Sequence, residues 1–164
     1  MIDYKKEIED RDIVKRETFP TMVLAVSLMG SVVLYALLAS LLKIDLGVPK
    51  EPRETIYSIL IAVIIVVMIV ILSVRKTIYF SPRIVKEDFT LTQVLRKWRV
   101  IDTILLAMAE SIPLIGLLLT WMGIPWERTW FIFLVSILLI IILMPVGIKV
   151  RSKLNYIRKY NKRI

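Results

Sequence analysis

Four long apolar stretches, with a single charged residue among them, determine what this chain can fold into. They cover residues 18–42, 55–74, 103–126 and 129–148. Each has the length of about 20 residues that a helix needs to cross a hydrocarbon core roughly 30 Å thick, and Glu110 is the one charged residue inside them. A lone strand in lipid would leave its backbone groups unpaired, so helices are favoured even where β-branched residues dominate. The sequence predicts an all-α fold, an integral membrane four-helix bundle, as a single transmembrane domain over residues 1–164.

Residue types that carry most catalytic and metal chemistry are missing from the chain. There is no Cys, so there is no disulfide, no thiolate nucleophile and no thiolate metal site. There is no His, which removes the commonest general base and the commonest metal ligand. We therefore predict a protein that is not an enzyme and has no catalytic residues, no metal site and no cofactor, although carboxylates and lysines remain available.

Lysine and arginine are distributed unevenly between the two sides of the predicted bundle. The N-terminal segment, the second loop and the C-terminal tail carry five, seven and seven of them, whereas the first and third loops carry three and one. Basic residues that flank membrane spans stay on the cytoplasmic side. We predict a multi-pass protein of the cell membrane with both termini cytoplasmic (N-in/C-in). The same distribution accounts for the net charge of +9 without nucleic acid, which we do not expect as a partner.

The second loop has the pattern of a helix that lies on the membrane surface. Thr90 and Gln93 have the spacing of a capping box, and apolar residues follow at positions 91, 94, 95 and 98. We predict a cytoplasmic amphipathic helix over residues 90–99, which either binds anionic lipid or a partner, or only connects to the third span. Contacts to anionic lipid head groups are expected at basic residues of this helix and of the tail: Arg96, Lys97, Arg99, Lys149, Arg151 and Lys153.

Glu110 is the residue that a membrane function would use. It follows Arg99 by 11 residues, which is about 16 Å along a helix and reaches the middle of the membrane if Arg99 marks the interface. An ionised carboxylate costs about 2.5 kcal/mol or more there, and no predicted span contains a basic residue to neutralise it. We therefore expect the Glu110 carboxyl to be protonated at rest.

Pro113 gives this carboxyl a nearby acceptor. A proline has no N–H, and its ring clashes with the carbonyl four residues earlier, here that of Ala109. We expect a kinked helix with a free Ala109 carbonyl, to which a protonated Glu110 could donate a hydrogen bond. Hydroxyl groups on other helices are the alternative partners, and the candidates are Ser27, Ser31, Tyr35, Ser58 and Ser136.

Small residues around Glu110 favour close helix packing. Ala107 and Ser111 form a small-xxx-small pair that lets a neighbouring helix approach, and Gly116 extends this surface. Two interpretations follow. Glu110 exchanges a proton or binds a cation during transport, as acids inside membranes often do, or it is a structural hydrogen-bond donor that fixes helix packing.

Ala107 and Glu110 form an Ala-x-x-Glu pattern, and Gly116 follows the acid by six residues. In this respect the segment 105–119 resembles the ion-carrying helix of the proteolipid (c) subunits of rotary ATPases. The resemblance implies that Glu110 corresponds to the ion-carrying carboxylate. It covers this segment alone, and the chain departs from the family in having 5 glycines and no Gly-x-Gly run.

The order of features along the chain supports a wider resemblance. An Arg-containing amphipathic segment, residues 95–99, leads into the Ala-x-x-Glu helix, and the last span ends near Pro145. In this the chain is similar to a loose group of small uncharacterised four-helix bacterial membrane proteins. The group implies this topology and no activity.

Three hypotheses about function remain. The leading one is a non-catalytic oligomeric or accessory subunit of a membrane complex, whose partners are the lipid bilayer, further copies of itself or other membrane subunits. The second is a proton- or ion-linked membrane component that uses Glu110. The third is a membrane anchor that recruits a cytoplasmic partner through the basic tail, and removal of residues 154–164 would test it.

Overall fold

The computed structural model describes residues 4–41, 49–79 and 91–145. These residues form four helices: α1 (Tyr4–Leu41), α2 (Lys50–Tyr79), α3 (Leu91–Trp121) and α4 (Trp126–Leu143). All four are long and apolar enough to cross a membrane. The prediction of an all-α fold with four candidate spans is confirmed.

Helix α3 is the centre of the bundle, because it packs against α1, α2 and α4. Its buried side chains include Leu105, Leu106 and Ile112, which are at most 1% exposed. Helix α2 packs mainly against α3 and leaves most of its apolar surface outside, for example at Val66 and Ile69. So large an exposed apolar surface is unusual for a protein in water. It suits lipid, whose tails are as apolar as leucine.

Contacts between helix ends show that the helices run alternately up and down. Glu17 of α1 contacts Arg99 of α3, so these parts of the two helices lie at one end of the bundle, which we call the basic end. At the opposite end, which we call the turn end, Arg53 at the start of α2 donates a hydrogen bond to the carbonyl of Gly123 in the α3–α4 turn, at 3.0 Å. Glu54 also pairs there with Arg128, at 2.9 Å.

The α3–α4 turn has the hydrogen bonds of a Schellman motif. The N–H of Ile124 donates to the carbonyl of Leu119, and the N–H of Gly123 donates to that of Thr120. Gly123 has a φ of 84°, a conformation that glycine adopts without steric cost. This turn makes α3 and α4 antiparallel neighbours.

The structure differs from the predicted helices in two places. Residues 91–99 form the first turns of α3 rather than a separate helix, and Val94, Leu95 and Trp98 are buried inside the protein. Helix α4 ends at Leu143, short of the predicted limit at residue 148. Pro145 excludes helical geometry at Met144, whose ψ is 129°.

Candidate functional site

Glu110 lies in the middle of α3. It is 11 residues from both Arg99 and Trp121, and at 1.5 Å per residue this places it about 16 Å from each. The residue is half-buried, at the border between the packed side of α3 and the side that faces away from the other helices. A carboxyl group at this depth would meet lipid or another polypeptide on its exposed side.

The Ala109 carbonyl already has a donor in the structure. Pro113 lies inside α3 and cannot donate to it. The hydroxyl of Ser136 on α4 donates to this carbonyl at 3.0 Å, and both residues are fully buried. The acceptor that the sequence offers to Glu110 is therefore used to join α3 to α4.

The other candidate hydroxyl groups do not bond to the Glu110 carboxyl group either. Ser31 donates to the carbonyl of Ser27 in its own helix, and Ser58 donates to that of Glu54. In the ranges that the structure describes, no hydrogen bond or ion pair joins the Glu110 carboxyl group to any residue. The predicted hydrogen bond of Glu110 to another helix of the same chain is thus not formed.

The small residues near Glu110 divide between two sides of α3. Ala107 and Ser111 are exposed, and the Ser111 hydroxyl donates to the carbonyl of Met108 at 2.7 Å. Gly116 is buried against α4, where an added Cβ atom would lie 3.1 Å from Cζ of Phe133. The close approach at Gly116 is made within the chain, whereas the small-xxx-small pair faces outward.

A second cluster of polar residues lies at the basic end around Glu17, the last residue before the first uncharged stretch. The Glu17 side chain is 7% exposed, and its Oε2 accepts a hydrogen bond from Nη1 of Arg99 at 3.3 Å. Its Oε1 lies 3.9 Å from Nε of Arg96 and 4.0 Å from Nε of Arg16. One buried carboxylate therefore holds three guanidinium groups near it.

A small pocket of about 20 Å³, partly open to solvent, adjoins this carboxylate. Thr21, Trp98, Asp102 and Pro145 are among its lining residues, so α1, α3 and the end of α4 meet here. Thr21 and Asp102 are 3% and 5% exposed. The signal in the sequence is an acidic residue, Glu17, at the last position before an uncharged stretch on the side with most arginines.

Three of the residues predicted to contact lipid head groups lie in the described part of the chain. Arg96 and Lys97 are exposed and Arg99 is partly buried at the basic end. The tail residues Lys149, Arg151 and Lys153 lie outside the described residues. No group of three or more acidic residues that could hold a metal ion occurs in the described ranges.

No family model, curated protein or solved structure matches the chain.

Proposed function

We propose that this chain is a non-catalytic subunit of a membrane assembly, built with further copies of itself or with other membrane subunits, with both termini in the cytoplasm. The observation that carries the proposal is Glu110. This carboxyl group lies in the middle of a candidate span, it is half-buried, and no residue in the described part of the chain bonds to it.

The free energy of an isolated carboxyl group in lipid favours an intermolecular partner. A carboxylate at the bilayer centre costs about 2.5 kcal/mol or more, and polar groups in spans accordingly face protein or water. Ala107 and Ser111 lie one turn before and beside Glu110 and are exposed. Their small side chains would let a second helix come close enough for a hydrogen bond to the carboxyl group. Assembly through this face of α3 would bury Glu110.

The second candidate is a proton- or ion-linked component that uses Glu110, and one observation favours it. Ser136 already satisfies the Ala109 carbonyl, so Glu110 is not required for that bond. The interior between Glu110 and the pocket at the basic end is apolar, however, because Leu105 and Leu106 are 1% and 0% exposed. A proton route would have to run between subunits, so this candidate also needs an assembly.

The test compares Glu110→Gln and Glu110→Leu in mild detergent by native mass spectrometry. Glutamine keeps the ability to donate and accept hydrogen bonds but cannot titrate, whereas leucine removes both properties. We expect wild type and Glu110→Gln to form assemblies larger than the 19.0 kDa chain. We expect Glu110→Leu to weaken association about fivefold or more. Val66→Ala, which alters an exposed residue of α2 away from this face of α3, serves as the control and should behave as wild type.

Results of two kinds would contradict the proposal. The first is a wild-type chain that always purifies alone as a monomer, or a Glu110→Leu variant that assembles as wild type does. The second is a Glu110→Gln variant that assembles normally but loses a proton or cation flux that wild type shows in proteoliposomes. This second result would establish the ion-linked function in place of a structural one.

A further inference from the structure

At the basic end, three positively charged guanidinium groups surround the single negative charge of the Glu17 carboxylate. Arg99 forms the short contact with Glu17, at 3.3 Å, and neutralises it. Arg16 and Arg96 approach the same Oε1 atom through Nε only, at 4.0 and 3.9 Å, beyond hydrogen-bond distance. The guanidinium groups of Arg16 and Arg96 therefore have no closer carboxylate than this one among the described residues.

Arg16 and Arg96 keep their outer donors for another anion. Their side chains are 73% and 64% exposed, compared with 38% for Arg99. Neither makes a further ion pair or hydrogen bond with the residues that the structure describes. Because both Nε atoms lie within 4.0 Å of the same Glu17 oxygen, they are at most 7.9 Å apart, close enough for one phosphate group to contact both side chains.

The position of this pair along the helices indicates which phosphate would reach it. Arg16 lies two residues before the uncharged stretch of α1, and Arg96 lies in the first turns of α3. A chain that crosses a bilayer with these helices would hold both residues at the depth of the lipid head groups. A guanidinium group presents a planar fork of donors that matches two phosphate oxygens, which an ammonium group does not.

We propose that Arg16 and Arg96 form a binding site for the phosphate of an anionic phospholipid, with Glu17 and Arg99 as the neutral pair that holds the two arginines together. In this site Arg99 is a positioning residue rather than a lipid contact. The site does not depend on the role of Glu110 or on assembly.

The full-length chain in a non-ionic detergent is the material for the test, and binding of phosphatidylglycerol is measured by native mass spectrometry. We expect Arg16→Gln and Arg96→Gln each to weaken binding about tenfold, because each removes a charged pair of hydrogen bonds. Arg96→Lys keeps the charge but loses the fork, and we expect a loss of about fivefold. Lys76→Gln removes an exposed basic residue in the last turn of α2 and should change binding less than about twofold if the site is local.

Several outcomes would overturn the site. Diffuse attraction predicts that Arg96→Lys binds as wild type does and that Lys76→Gln weakens binding as much as Arg96→Gln. Equal binding of phosphatidylcholine would show that the net charge of the lipid does not matter. Displacement of the lipid by inorganic phosphate at micromolar concentration would assign the site to free phosphate instead. Circular dichroism of each variant separates a lost site from a lost fold.

Discussion

At the residue scale, the bond between Ser136 and the Ala109 carbonyl is the feature that best connects sequence to packing. Pro113 removes a backbone donor from the middle of α3, and Ser136 supplies one from α4 at 3.0 Å. Replacing Ser136 with alanine leaves this buried carbonyl without a partner. We expect Ser136→Ala to lower the free energy of unfolding by about 1 kcal/mol, measured by denaturation in detergent micelles.

A double-mutant cycle gives this prediction its control. In a Pro113→Ala background the new N–H can donate to the Ala109 carbonyl, as in a regular helix. We expect Ser136→Ala to have almost no effect there, so the two substitutions should be non-additive. Ser111→Ala removes an exposed hydroxyl that bonds only within its own helix and should be close to neutral. Equal costs in both backgrounds would show that the carbonyl is not the reason for the loss.

The same residues show what could and could not be predicted from the sequence. Covalent chemistry alone says that Pro113 frees the Ala109 carbonyl, and this needs no knowledge of the fold. Which hydroxyl reaches that carbonyl depends on the rotation of α4 about its axis, which short-range patterns do not determine. Glu17 was missed for a related reason. Its three arginine neighbours include two from α3, far away in the sequence.

At the scale of the elements, uncharged stretches locate candidate spans more reliably than they locate helix ends. The stretch 18–42 corresponds to the second part of α1, which begins at Tyr4. A helix can continue past the apolar region because its backbone hydrogen bonds form within the chain, whereas hydropathy reports only the preferred solvent; α1 even continues through Pro20. Helix α4 shows the opposite case, because Pro145 ends it before the apolar residues are exhausted.

Glycine substitutions test how closely α3 and α4 pack. A Cβ atom at Gly116 would lie 3.1 Å from Cζ of Phe133 and 3.2 Å from Cγ2 of Ile132, whereas a Cβ atom at Gly30 in α1 would meet nothing within 4 Å. Both replacements by alanine favour the helix backbone, but only Gly116→Ala crowds its neighbours. We expect Gly116→Ala to be less stable than Gly30→Ala by about 1–2 kcal/mol, measured by thermal unfolding in detergent. Equal stabilities would mean that the two helices adjust to the added methyl group without strain.

At the scale of the whole molecule, the polar groups are arranged in three layers. Glu17 and its arginines lie at the basic end, Glu110 lies in the middle, and Arg53, Glu54 and Arg128 join α2 to the α3–α4 turn at the other end. Glu17 and Glu54, the carboxylates of these two outer layers, each pair with an arginine, whereas the Glu110 carboxyl group has no partner among the described residues. This contrast is what makes the middle of α3, rather than either end, the place where we expect another subunit.

The orientation of the bundle can be tested with single cysteines, because the chain has none of its own. Lys76 is exposed in the last turn of α2, and Glu127 is exposed in the first turn of α4, at the turn end. From the excess of basic residues we propose that the basic end faces the cytoplasm. A membrane-impermeant maleimide added to intact cells should therefore label Glu127→Cys and should label Lys76→Cys only after permeabilisation. The reverse pattern would invert the bundle and move the proposed phosphate site to the outer leaflet. Labelling of both positions in intact cells would contradict the crossing of α2.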